Sequence, residues 1–185
     1  MPLDHDATYW FPMRVTYGRQ KKVKEFLERE QVECFLPMIK ETVMEGNKIR
    51  HRKVPAISNL LFVHDTMNRI TALKQTKAIA APLRYMTRRP VGNPDAPQEI
   101  VVVPDDQMQN FMRVIAGPDE EYTYLTPEQL LGKENGKVLI TSGPFEGVEG
   151  IIKRVHGNKH VVVELEGLGG IVINFVPKNF MVRLE

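Results

Sequence analysis

The sequence predicts an α+β sandwich, an antiparallel sheet flanked by helices, followed by a small all-β barrel. Through Ile115 the runs alternate in the order strand, helix, several strands with a second helix, then a third helix. From Lys133 the pattern changes to short β runs broken by turn residues. Between them, residues 116–132 hold no Lys or Arg, carry four acids and contain Gly117-Pro118, which is the composition of a linker. The expected organisation is therefore a first domain at 1–115, an acidic linker at 116–132 and a second domain at 133–185.

The first strand runs from Tyr9 to Thr16, and Pro12 inside it argues for an edge position or an irregular start. Arg19 to Gln31 has helical spacing, with Val23, Phe26, Leu27 and Glu30 on one side and the charged residues toward water. A strand follows at Glu33 to Pro37. Ile39 to Met44 and Lys48 to Val54 flank the turn-forming Glu45-Gly46-Asn47, a hairpin signature. Both arms are too polar for a core, so the hairpin is expected to project into solvent. Its second arm, Lys48 to Lys53, is basic, as a nucleic-acid contact or a solubilising protrusion would be. Leu60 to Val63 is a continuous apolar run, as a buried central strand requires. Thr66 to Thr76 reads as the second helix, with Ile70 and Leu73 on one face, and Leu83 to Thr87 as a strand. Arg88 to Pro97 is loop, and Ile100 to Val103 precedes the third helix. Pro104-Asp105-Asp106 opens the third helix, where proline and acids suit the first turn.

In the second domain the β runs are Val138 to Thr141, Gly150 to Ile152, His160 to Leu165, Gly170 to Asn174 and Phe180 to Leu184. Turn signals separate them at 142–144, 157–158 and 167–170. Gly143 and Gly147 can supply positive φ. Gly150, inside a strand, lets another chain segment pack closely. Phe145 stands at a turn tip, where a large apolar group is costly unless a neighbour or a partner covers it.

The 185 residues carry a net charge of only +2. That charge is uneven: 18 Lys and Arg against 13 Asp and Glu through Ile115, none against four over 116–132, and seven against six thereafter. A basic first domain suits proximity to nucleic acid, although a solvated basic face gives the same count. No apolar run is long enough to span a bilayer, and the polar, acidic start lacks the order of a secretory signal. Cys34 is the only cysteine, which excludes an internal disulfide and fits a reducing compartment. A cytoplasmic monomer without cofactor, metal or membrane contact is expected. Asp105-Asp106 is better explained by the helix start than by carboxylate catalysis. His156 and His160 flank a turn without further ligands nearby, and no phosphate-cradling loop or nucleophile elbow is present, so no enzyme is expected.

The stretch Gly136 to Lys153, with its Gly143-Pro144-Phe145 turn, resembles the KOW motif of NusG-family proteins, whose KOW domain is an SH3-like barrel. Trp10-Phe11, the Lys21-Lys22-Val23 helix, Cys34 to Ile39 and Leu60 to Val63 are similar to the NusG N-terminal (NGN) domain. Val32 to Ile39 and the following hairpin look closest to specialised paralogues such as RfaH and the UpxY-like regulators of polysaccharide operons. The resemblance spans Trp10 to Leu184.

That resemblance implies a transcription elongation and antitermination factor that binds RNA polymerase through an apolar depression of the first domain. The matching positions are Ile57, Leu60, Phe62, Met108 and Phe111; as a core position Phe62 is the better fit, whereas Ile57 and Phe111 are expected to be partly exposed. A nontemplate DNA strand or nascent RNA would meet Tyr17, Arg19, Lys22, Arg29, Thr76 and Lys77, since lysine and arginine grip phosphate and an aromatic ring stacks on a base. The KOW domain would recruit Rho or a ribosomal protein through Phe145 and, more weakly, Ile151, a residue that also suits the barrel core. The family usually places a phenylalanine-proline-glycine (or asparagine)-tyrosine run before the buried strand; here it reads Ile57-Ser58-Asn59-Leu60, the mark of a divergent paralogue. RfaH refolds its second domain into helices, but the glycines and β-branched residues here favour a constitutive barrel. The alternative is a ribosome-associated, RNA-binding KOW protein.

Overall fold

The structure is a computed structural model that describes residues 3–90, 92–93, 95–118, 122–130, 134–165 and 167–184. It divides into two compact units: 1–38 with 55–105, and 39–54 with 106–185.

The first unit is built on an antiparallel sheet of four strands. Their ranges are β1 Thr8–Val15, β2 Glu33–Phe35, β5 Leu60–Thr66 and β6 Leu83–Tyr85, and the order is β2-β5-β1-β6. Alternation along β1 sends Phe11, Met13 and Val15 to one face, where Leu61 and Val63 of β5 join them in the core. Two helices cover this face. Helix α1, Gln20–Arg29, contributes Val23, Phe26 and Leu27; α2, Met67–Thr76, contributes Ile70. Thr66 caps α2 by accepting from the Arg69 amide, and Arg69 reaches back to the Asp65 carboxylate and the Glu30 carbonyl.

Pro12 does not mark an edge strand, because β1 lies between β5 and β6. Its carbonyl accepts from the Met86 amide on the β6 side. Its own nitrogen faces the same way, where the β6 ladder begins only at Met13↔Tyr85, so no ladder bond is forfeited. The extended run after Leu83 splits into β6 and β7, Thr87–Arg88, which pairs with β8, Glu99–Ile100. Val103 bridges separately to Trp10.

The second unit includes, apart from Met38 and Pro55 at its base, the hairpin of β3, Met38–Glu45, and β4, Lys48–Pro55, whose side chains are mostly exposed as expected. Cross-strand pairs join Arg52 to Glu41 and Thr42 to His51. This unit also holds α3, Asp105–Ile115, beyond its first residue. The remaining strands are β9 Tyr122–Leu125, β10 Glu134–Ile140, β11 Glu149–Val155, β12 Asn158–Leu165, β13 Gly169–Ile173 and β14 Met181–Arg183. They form one antiparallel sheet in the order β14-β10-β11-β12-β13-β9. Among the described residues the C-terminal domain is thus built of strands, with one short 3-10 turn at Lys178–Phe180, the KOW-like architecture the turn pattern predicts. The expected linker is more structured than its composition suggests. Residues 122–125 pair with β13, and Leu125 and Leu130 enter a core with Val155, Val162 and Val172. Residues 119–121 and 131–132 of that segment lie outside the described residues.

Gly150 behaves as its place in a strand predicts: a Cβ there would lie 2.6 Å from a Val161 methyl and 3.0 Å from the Val162 carbonyl oxygen. Gly150→Ala should therefore destabilise the C-terminal sheet by about 1–3 kcal/mol, measured by urea unfolding followed on C-terminal amides. Cys34 is a half-buried thiol that donates to the Lys24 carbonyl. Its pKa is pushed up to about 11, first by burial and then by the Glu28 carboxylate. The reactive thiolate is consequently scarce at neutral pH. Iodoacetamide should label the native protein slowly at pH 8 and accelerate only as the pH climbs toward 11, whereas the urea-unfolded chain should show a midpoint near about 8.5 by mass spectrometry.

Candidate functional site

The five apolar positions divide between the two units. Leu60 and Phe62 are two apart on β5 and share the sheet face opposite the core cluster, together with Trp10 and Pro12 of β1. Met108 and Phe111 are three apart on α3 and share one face with Val114. All four are buried, and Phe62, Met108 and Phe111 are completely so. Only Ile57, in the loop before β5, is half-exposed. The partial exposure expected for Phe111 is therefore corrected: it shares an α3 face with Met108 and Val114, and that face is covered. Within the divergent run, Asn59 has φ 58° and exposes its side chain, while its carbonyl accepts from the Val15 amide at 2.8 Å. Asparagine tolerates that backbone, which suits Asn59 to the turn.

On the same sheet face His64 stacks on Trp10, with ring centroids 4.5 Å apart and planes within 7°. Its Nδ1 shares a hydrogen bond with the Glu33 carboxylate at 2.6 Å, and Asp105 lies 4.0 Å from Nε2.

The polar positions are all exposed. Tyr17 sits in a single turn after β1 with φ 63° and is 85% exposed, and the Arg19 guanidinium lies 5.6 Å from its ring centroid. A left-handed tyrosine costs about 1–2 kcal/mol and presents an aromatic face to water, so the turn holds a flat surface beside a cation. Arg19, Lys22 and Arg29 fall within an arc of about 80° at 100° per residue, so the three cations share one flank of α1. Arg29 is partly engaged, donating to the Glu25 carbonyl. Thr76 and Lys77 end α2; the threonine hydroxyl donates to the Ala72 carbonyl rather than pointing at a ligand.

The tertiary structure adds cations that no local motif reveals. Arg14 and Arg84 stand directly opposite across β1 and β6, both exposed. Like charges in that position repel unless an anion lies between or beside them. Arg84 also contributes to lowering the pKa of Lys74, where burial is the larger cause.

In the C-terminal unit Phe145, expected at a turn tip to need cover from a neighbour or a partner, is 3% exposed. A Cβ at Gly117 would lie 2.5 Å from its ring, so the ring rests on the glycine backbone just beyond α3. The same turn is fastened at two more points. Arg113 donates to the Gly147 carbonyl at 2.7 Å, and the Glu149 amide donates to the Asn110 side chain at 3.0 Å. Ile151 is half-buried on β11 opposite Val162. Lys153 is buried, with its ammonium 2.5 Å from the Glu164 carboxylate. His156 occupies the β11–β12 turn with φ 47°, and His160 lies on β12 near the Ile173 carbonyl. Among the described residues no group of three or more His, Cys, Asp or Glu side chains could hold a metal ion, and no helix is long and apolar enough to cross a membrane.

The chain thus joins an α+β domain to a β domain that carries a Gly-Pro-Phe turn. The family described as transcription termination factor nusG matches residues 8–112, and the KOW motif matches residues 134–166. The chain belongs to the NusG family, whose members are transcription factors rather than enzymes and generally bind RNA polymerase. Comparison with curated proteins gives no match. A solved structure of Thermotoga maritima NusG, described as showing domain interaction, is similar at 20% identity and a TM-score of 0.45, covering 98% of this chain and 100% of that one.

Replacing both Asn110 and Arg113 by alanine should free the 143–149 turn. The Glu149 amide should then exchange with deuterium about tenfold faster or more, while amides of β12 and β13 keep their protection.

Proposed function

We propose that this chain is an elongation and antitermination factor that binds RNA polymerase through its first domain and suppresses pausing or termination at a few operons, such as polysaccharide loci. In this reading the KOW domain recruits a further component, Rho or a ribosomal protein. The observation that carries it is the succession of a NusG match over 8–112 and a KOW match over 134–166 in one chain. The specialised role is supported by the divergent Ile57-Ser58-Asn59-Leu60 run. It is further supported by an exposed aromatic beside a cationic helix flank, a combination suited to an unpaired base and its phosphates. Of the five proposed polymerase-binding residues Ile57 is the one with a half-exposed side chain; Leu60 and Phe62 are buried in the first unit, and Met108 and Phe111 are buried in the second.

The test is a tagged pull-down from the native cell, with and without nuclease, followed by sequencing of the recovered nucleic acid. Core polymerase with signal confined to one or a few long operons is expected. Polymerase with signal on all genes would reduce the reading to a general elongation factor. Ribosomes without polymerase would replace it by the ribosome-associated alternative. In the same assay, Arg19→Ala with Lys22→Ala should lower occupancy of the specific element about tenfold while leaving binding to polymerase alone unchanged.

A further inference from the structure

The C-terminal sheet contains a groove of about 670 Å³. Its floor is aliphatic: Val138, Ile152, Val161 and Ile173, one from each of β10 to β13. Beyond them the wall is formed by Val176 and Met181, and Phe175, 76% exposed, stands at the rim. The rim charges are all of one sign, from Lys159, Lys178 and Arg183; no Asp or Glu lines the groove among the described residues. None of the lining residues is Phe145 or Ile151, so this is a second surface of the KOW domain.

Strand β14 forms one wall, and among the described residues it pairs only with β10. The Phe180 carbonyl and the Leu184 amide both bond toward β10. By alternation, the N–H and C=O groups of Met181 and Arg183 point to the open side of the sheet. The side chains of the same two residues line the groove. An unpaired strand edge beside an apolar trough takes an extended peptide, whose main chain pairs with the edge while alternate side chains enter the trough.

We infer that this groove is a docking site for an extended, acidic segment of a partner protein, in which carboxylates flank one large apolar side chain. The cationic rim selects the charge, the aliphatic floor takes the anchor and the β14 edge fixes the direction of the chain. A nucleic-acid strand is the poorer fit. Its bases would set polar edges against valine, isoleucine and methionine, leaving them unpaired, and one exposed ring makes no stacking platform. The site goes beyond the proposed polymerase function, since it shares no residue with the first domain.

The full-length, ¹⁵N-labelled protein is titrated with a fluorescein-labelled peptide alternating glutamate and valine around one central leucine. Two further probes are a peptide of equal charge with serine at every apolar position, and oligouridylate. The expected result is saturable binding of the first peptide, with the largest amide shifts at Met181 and Arg183. The serine peptide should bind about tenfold more weakly or worse, and Lys178→Glu with Arg183→Glu should weaken the first peptide by a similar factor. Both replaced side chains are exposed, and the spectrum of the variant reports its fold directly. The shift map of the unaltered protein stands as evidence even if that variant is disturbed. Equal binding of the two peptides, shifts centred on the 143–149 turn, tighter binding of oligouridylate or no binding of the first peptide would each overturn the inference.

Discussion

The seven-residue ladder between β1 and β5, from Thr8↔Thr66 to Arg14↔Leu60, is the constraint on which the N-terminal unit depends. Both strands lie inside the sheet and both are buried on two faces, so their register is fixed from both sides. Phe11, Met13 and Val15 must face the helices. A slip by one residue would put Trp10, Pro12 and the exposed Arg14 there instead. The same register sets Trp10 against His64, and the β1–β6 pairing on the other side of β1 leaves Pro12 outside its ladder and brings Arg14 opposite Arg84. Site geometry in this unit is therefore a by-product of core packing.

The C-terminal unit solves a different problem. Its Gly-Pro-Phe turn carries a phenylalanine that water would penalise, and the ring is laid on Gly117. Any other residue there would bring a Cβ into the ring, so a glycine with an ordinary backbone angle is required by close approach alone. Two polar contacts from α3, through Asn110 and Arg113, hold the turn in place without further apolar area. Phe145 is in this way a packing residue of the structure, and the exposed apolar ring of the domain is Phe175, at the other groove.

The charged surfaces differ in how far they are already satisfied. On the β3–β4 hairpin, Arg50 and Arg52 pair with Glu45 and Glu41 across the strands. These exposed pairs add little stability, but they reduce the basic character that the β4 sequence has on its own. The flank of α1 keeps Arg19 and Lys22 at the surface beside Tyr17, and the groove beside β14 gathers three cations with no lining acid among the described residues. Composition alone would rank the hairpin first.

The sequence by itself determined the elements that local rules govern. Continuous apolar character made Leu60 to Val63 a buried central strand, and three-and-four spacing put Val23, Phe26 and Leu27 on the inner side of α1. Glu45-Gly46-Asn47 became a hairpin turn, and glycine-punctuated β runs became the C-terminal sheet. Motif order carried the family as well, because turn and strand signals are written in neighbouring residues. The tertiary structure decided exposure. Phe111 and Phe145 are buried, residues 122–125 join a sheet despite their linker composition, and Arg14 meets Arg84. Each of these depends on which distant segment lies opposite, and periodicity within one segment carries no information about its neighbour.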